Sequence, residues 1–167
     1  MQSVVGVSTT HAWQSAWAQQ LARAIALLLA QGDKPGALVC ARAVLGDGAA
    51  CLDARAFALM ALQENELAAE ARTHIAKAFT TPPFGETFLL TTMAEVAVDT
   101  KDWQSAYQWA SAVMASDSGN FRALLVLSKT NYAWTNFHEA LGNALTANNV
   151  LKGAPPARSE EHRSELQ

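Results

Sequence analysis

The sequence predicts an all-α fold of roughly eight helices, and three observations support this prediction. Of the 167 residues, 34 are alanine, which has the highest helix propensity and is unfavourable in strands. Hydrophobic residues make up 50% of the chain and charged residues only 16%, a balance that excludes intrinsic disorder and supports one buried core. Small residues also recur at intervals of about 34 positions, a period typical of helical hairpin repeats.

Glycine, proline and capping residues divide the chain into these helices. The first helix contains the most apolar run, Leu21 to Ala30. Asp33, Asp102 and Asn136 precede even-numbered helices and are natural N-caps, and Glu139 completes a capping-box-like pair with Asn136. Each even-numbered helix ends at a glycine- or proline-rich cluster, because proline cannot continue a helix and glycine supplies a left-handed cap. The predicted helices span residues 10–31, 34–46, 50–64, 67–80, 84–100, 102–116, 119–134 and 137–151.

Four alanines mark a repeat of two helices. Ala37, Ala71, Ala106 and Ala140 are separated by 34, 35 and 34 residues. The residues four and seven positions after each alanine are also small or aliphatic, and these offsets place all three on one helical face. We therefore predict that the four alanines pack between paired helices.

Two segments carry a motif in register with this repeat. Asp102 to Ala106 and Asn136 to Ala140 each contain a polar residue, an aromatic residue, two variable positions and alanine. The aromatic residues, Trp103 and Phe137, are expected to take part in repeat packing. In this motif and in its 34-residue helix-turn-helix unit, the chain resembles the tetratricopeptide repeat family over about residues 18–151. The resemblance implies a right-handed α-solenoid of about four repeats, whose first helices line a concave groove.

The resemblance also implies where a partner binds. The groove residues it implies are Met60, Gln63, Phe88, Glu95, Val98, Arg122, Leu125, Lys129 and Tyr132. The groove is expected to be apolar along its floor, acidic near Glu64, Glu95 and Asp99, and basic near Arg122 and Lys129. Such a surface suits an extended peptide or an amphipathic helix, so the expected function is a scaffold, adapter or co-chaperone that binds another protein. For Phe88, Leu125 and Tyr132, burial in the core is an equal alternative.

No motif in the sequence carries catalytic chemistry. Glu70 and His74 lie one helical turn apart, but two ligands do not complete a metal site, and the alternative is a solvent-facing pair. Cys40 and Cys51 lack CxxC spacing and are expected to be small buried apolar residues. Neither a nucleophile motif nor a glycine-rich phosphate loop occurs in the sequence. We therefore expect no enzyme activity, no metal, no cofactor and no small-molecule ligand.

Three points stay open in the sequence. Pentatricopeptide-like RNA binding is one alternative function, although a net charge of -3 and the lack of a repeated polar code disfavour contacts with nucleic acid. A regulatory fragment of a longer protein is another. Trp13 and Trp17 give the first helix a bulky face, which either packs over the first unit or forms an exposed docking surface.

The two ends of the chain are expected to lie outside the repeat domain. We predict a flexible segment at residues 1–10, a repeat domain at 11–151 and a disordered or non-native tail at 152–167. Residues 158–167, RSEEHRSELQ, resemble the translation of a sequencing adapter and are left out of the functional interpretation. The amino terminus lacks the features of a signal peptide, and the apolar run is too short to cross a bilayer and is interrupted by Arg23. A cytoplasmic location without membrane insertion is therefore expected.

Overall fold

The structure, a computed structural model, describes residues 5–48 and 50–153. Eight α-helices occupy these ranges and no strand occurs in them, which confirms the predicted all-α fold. The helices are α1 (Val5–Ala30), α2 (Lys34–Gly46), α3 (Leu52–Glu64), α4 (Ala68–Ala78), α5 (Thr87–Asp99), α6 (Trp103–Ser116), α7 (Phe121–Ala133) and α8 (Phe137–Leu151). The segment expected to be flexible, 1–10, is helical from residue 5 onward. Residues 1–4 and 154–167, with the adapter-like sequence, lie outside the described residues.

The helices form two rows. The odd-numbered helices contact one another in sequence, α1 with α3, α3 with α5, and α5 with α7. Each of α2, α4 and α6 contacts the odd-numbered helix on either side of it, and α8 packs on α7. Each unit is therefore a helical hairpin, and in the first three units the second helix also packs on the next unit, as nearest-neighbour stacking in a repeat array requires.

The repeated alanines lie between packed helices. Ala37, Ala71 and Ala106 are fully buried, and Ala140 is only 6% exposed. The residues seven positions later are also buried in three of the four units. The exception, Ala78, is exposed because it is the last residue of α4. Small side chains in this column let the paired helices approach closely.

The core consists of two clusters that meet at α3. The smaller cluster spans α1 to α3 and consists mostly of alanine, with Ile25 as one of its few large side chains. The larger cluster spans α3 to α7 and includes Leu62, Leu90 and Met93. Ala58 of α3 belongs to the smaller cluster, whereas Leu62 of the same helix belongs to the larger one. Helix α3 is thus buried on two faces and joins the two halves of the core.

The first helices of all four units end in the same turn. The residue after the C-cap has a left-handed backbone in each case: Gly32 (φ 78°), Glu66 (φ 61°), Lys101 (φ 59°) and Thr135 (φ 63°). The amide that follows donates to the carbonyl five residues earlier, over 2.8 to 2.9 Å. This arrangement is the Schellman motif, and its spacing of 34, 35 and 34 residues repeats that of the alanines.

Thr135→Gly is expected to raise the free energy of unfolding by about 0.5–1 kcal/mol. A β-branched residue in the left-handed region costs about 1–2 kcal/mol, which exceeds the roughly 0.5–1 kcal/mol of entropy that glycine adds to the unfolded chain. Urea denaturation measures the change. Thr73→Gly is the control, because Thr73 is an exposed residue of the right-handed helix α4 and its replacement should destabilise. Loss of stability in both variants would contradict the interpretation.

Among the helices whose N-cap residue the structure describes, three begin with a side-chain N-cap. Asp33, Asp102 and Asn120 accept hydrogen bonds from amides three residues later, at 3.0, 3.2 and 3.0 Å. Asn120 is an addition to the predicted caps. Asn136 occupies the N-cap of α8, yet its side chain makes no capping hydrogen bond with the described residues. Its side-chain Nδ2 donates to Asn131 Oδ1 at 3.4 Å instead. The predicted capping-box pair of Asn136 is therefore wrong.

Candidate functional site

A groove crosses α3, α5 and α7, the first helices of the second, third and fourth units. It encloses about 430 Å³ and is lined by Lys34, Met60, Gln63, Glu64, Glu66, Glu95, Val98, Asp99, Arg122, Leu125, Val126 and Lys129. Seven of the nine predicted groove residues belong to this set, and the two exceptions are Phe88 and Tyr132. The predicted positions converge because successive odd-numbered helices pack side by side and carry these residues at equivalent positions of the repeat.

An ion pair between Glu95 and Arg122 connects α5 to α7 across the groove. Arg122 donates from Nε to Glu95 Oε1 at 2.9 Å and from Nη2 to Glu95 Oε2 at 2.6 Å. The same guanidinium donates to Thr92 Oγ1 at 3.2 Å and lies 5.4 Å from the ring centre of Phe88. Because such bidentate pairs restrict both side chains, Arg122 is a fixed group whose charge is neutralised locally. The expected basic character near Arg122 is correspondingly reduced.

Core and groove positions were equal alternatives for three residues, Phe88, Leu125 and Tyr132, and the structure places each of them differently. Phe88 is half-buried at the edge of the larger core, and its ring centre lies 5.2 Å from that of Phe57. Phe88 therefore supports Arg122 and does not line the groove. Leu125 is 39% exposed and lies on the groove surface. Tyr132 is 66% exposed and lines a neighbouring cleft.

Carboxylates gather at the C-terminal ends of α3 and α5. Glu64 and Asp99 are the last residues of these helices, and with Glu66 they form what we call the acidic edge. Lys34 Nζ lies 3.5 Å from Glu64, and Gln63 Nε2 donates to Asp99 at 2.8 Å. Within the described part of the chain, Glu66 and Asp99 belong to no ion pair. A carboxylate at a helix C-terminus faces the negative end of the helix dipole, so this edge is strongly electronegative.

A second cavity adjoins the groove between α7 and α8. It encloses about 860 Å³ and is lined by Val98, Trp103, Ser128, Lys129, Tyr132, Ala133, Phe137, Ala140, Leu141 and Ala144. We call it the apolar cleft, because Lys129 is the only charged residue among the described residues that line it. Val98 and Lys129 line both cavities, so the two cavities are adjacent. The rings of Tyr132 and Phe137 meet edge to face with their centres 5.4 Å apart.

The two aromatic residues of the repeat motif differ in burial. Trp103 is half-buried and packs against the larger core, whereas Phe137 is 58% exposed and meets the ring of Tyr132 on the paired helix α7. Phe137 lies on α8, which packs on α7 and has no further described helix on its other side. Leu141 and Leu145 follow Phe137 at four-residue spacing and are exposed as well. That spacing was the sequence signal for an apolar face left uncovered on α8.

Of the two tryptophans in the first helix, the structure describes the side chain of Trp17. Trp17 is 47% exposed, which contradicts close packing of this residue over the first unit. The side chain of Trp13 lies outside the described residues. The exposed-surface alternative thus applies to Trp17.

Glu70 and His74, the candidate metal pair, lie on α4, where Glu70 contacts Arg42 of α2. Glu70 accepts hydrogen bonds from Arg42 Nε at 3.1 Å and from Arg42 Nη2 at 3.0 Å, and these bonds lower the pKa of the Glu70 carboxyl. His74 Nε2 lies 3.9 Å from the same carboxylate. Among residues 5–48 and 50–153, no group of three or more histidine, cysteine or acidic residues is arranged to hold a metal. Cys40 and Cys51 are half-buried and form no disulfide.

Comparison with protein-family models, curated proteins and solved structures gave no match to this chain. The helix order and the contacts between neighbouring hairpins define the class of protein, an all-α helical-repeat protein. None of the helices described here combines the length and the apolarity needed to cross a membrane.

Proposed function

We propose that this protein is a cytoplasmic adapter or co-chaperone of the tetratricopeptide-repeat type, a right-handed α-solenoid that binds a segment of another protein. The observation that carries the proposal is the convergence of seven predicted first-helix residues on one groove across three units. Extended concave surfaces of this kind are what repeat arrays use for binding. The protein acts by holding its ligand and not by catalysis.

The extent of the site favours a peptide or a helix over a small molecule. Because the groove and the apolar cleft are adjacent and share Val98 and Lys129, their surfaces together extend over α3, α5, α7 and α8. Small-molecule sites usually enclose most of their ligand, whereas Leu125 and Tyr132 are 39% and 66% exposed on this surface. An extended or helical peptide can contact the whole length at once, and the packed helices present its binding surface already formed.

Selection of a random dodecapeptide library on the immobilised full chain tests the proposal. We expect Leu125→Asp to weaken binding of the enriched peptides at least about tenfold, because the variant places a charge on the apolar floor of the groove. Val39→Asp is the matched control, since Val39 is 72% exposed on α2 and does not line the groove. Enriched peptides that bind the original chain and Leu125→Asp equally well would contradict a groove site.

A further inference from the structure

We infer that the groove recognises an amphipathic segment of a partner protein that carries lysine or arginine at one end. Apolar side chains of the segment occupy the apolar cleft between α7 and α8, and its basic end lies at the acidic edge on α3 and α5. This inference rests on the proposed function and adds to it the chemistry and the direction of the ligand.

The apolar half of the inference follows from three exposed side chains. Tyr132, Phe137 and Leu141 are 66%, 58% and 60% exposed, and all three line the apolar cleft. Apolar side chains scattered singly on a surface are ordinary, but a contiguous cluster in a concavity marks a binding site. Phe137 and Leu141 lie one helical turn apart, so they present a continuous surface to apolar side chains of a ligand.

The preference for a basic group on the ligand follows from carboxylates of the groove that belong to no ion pair among the described residues. Arg122 is neutralised by Glu95 through two hydrogen bonds of 2.6 and 2.9 Å. Four carboxylates and three basic side chains line the groove, and at the acidic edge Lys34 Nζ lies 3.5 Å from Glu64. Neither Glu66 nor Asp99 has an ion-pair partner among the described residues. A ligand ammonium or guanidinium supplies the missing charge, whereas an acidic ligand is repelled.

The dipoles of the two helices strengthen this preference. Glu64 and Asp99 end α3 and α5, where the aligned peptide dipoles place partial negative charge. The backbone and the side chains therefore attract the same sign of charge. Lys129 lines the junction with the apolar cleft, so the attraction for a basic group is confined to the far end of the groove. This separation gives the ligand its direction.

Two synthetic peptides that differ only in charge test the inference. Both carry two leucines one helical turn apart, one ends in two lysines and the other in two glutamates, and fluorescence anisotropy measures their binding to the full chain. We expect the lysine peptide to bind at least about tenfold more tightly than the glutamate peptide at low salt, with a difference that shrinks as salt increases. The combined variant Glu66→Lys with Asp99→Lys should reverse the preference. Leu141→Asp should weaken both peptides.

Glu139→Lys is the matched control, because Glu139 is exposed on α8 and lines neither cavity. This variant should keep the preference for lysine. Equal binding of both peptides, or a preference for lysine that is unchanged in the double variant, would overturn the inference of a basic ligand. In either case, groove-dependent peptides selected from the library would still support the proposed function. A dimer that Leu141→Asp converts to a monomer would show that a second copy occupies the cleft, and it would also overturn the inference. If library selection finds no groove-dependent peptide, the proposed function itself fails.

Discussion

Ala106→Trp is expected to lower the free energy of unfolding by at least about 1–3 kcal/mol, the usual cost of overpacking a core. Ala106 is fully buried and belongs to the same cluster as Leu90, Met93 and Val113. Its helix, α6, packs on both α5 and α7, so an indole at this position has to separate helices of two units. Thermal and urea denaturation of the variant measure the loss.

Ala115→Trp is the matched control for this experiment. Ala115 lies on the same helix as Ala106 but is exposed. The same substitution there should change stability by no more than about 0.5 kcal/mol. A denaturation midpoint of Ala106→Trp equal to that of the original chain would show that the small residues of the repeat do not set the helix spacing.

Asp102→Ala is expected to cost about 2 kcal/mol at neutral pH, because the side chain makes two contacts. Asp102 accepts the N-cap hydrogen bond from Ser105 N at 3.2 Å, a contact worth about 1 kcal/mol. It also accepts from Arg72 Nη2 at 2.6 Å, which adds about 1 kcal/mol for a charged hydrogen bond that is partly screened by solvent. The two contacts fix the start of α6 and connect it to α4. Urea denaturation at pH 7 measures the combined loss.

The contribution of the Asp102 charge should depend on pH. Burial raises the pKa of this carboxyl, but hydrogen bonds from Ser105 and Arg72 outweigh burial and hold the pKa below its ordinary value. A carboxyl whose pKa is lower in the folded state stabilises the protein above the unfolded pKa, about 3.9. This stabilisation is lost as the pH falls through the lower folded value. Asp102→Asn, which keeps a capping oxygen, should therefore be less stable than the original chain at pH 7 and equally stable in strong acid. A difference independent of pH would contradict the assignment to charge.

The helices could be predicted from the sequence, because the residues that begin and end a helix act within a few positions of it. Caps and breakers at residues such as Asp33 and Asp102 act within one turn, and the alanine column reports which face of each second helix is buried. Seven groove residues followed from the same periodicity, since equivalent positions in stacked hairpins point to one surface. Local signals of this kind survive in a single sequence.

Contacts between units could not be predicted in the same way. Arg122 and Glu95 are 27 residues apart, and their bidentate pairing depends on how α5 and α7 pack and on the rotamers of both side chains. Phe137 matches the repeat motif yet is exposed, because burial at that position requires a helix on the outer side of α8. The left-handed backbone of Glu66 could not be predicted from the sequence, because glycine is the usual residue in this conformation after a helix C-cap. In each case the missing information is the position of another helix or of the backbone.

The recurrence of one turn at residues 32, 66, 101 and 135 makes the units exchangeable. Removal of residues 67–101 would place Asp102 directly after Glu66, so that a left-handed residue is again followed by the N-cap residue of a second helix. The junction would keep the backbone conformation that all four turns share. We therefore expect that the array can be shortened or extended at these turns by one repeat length of two helices, which would change the length of its binding surface.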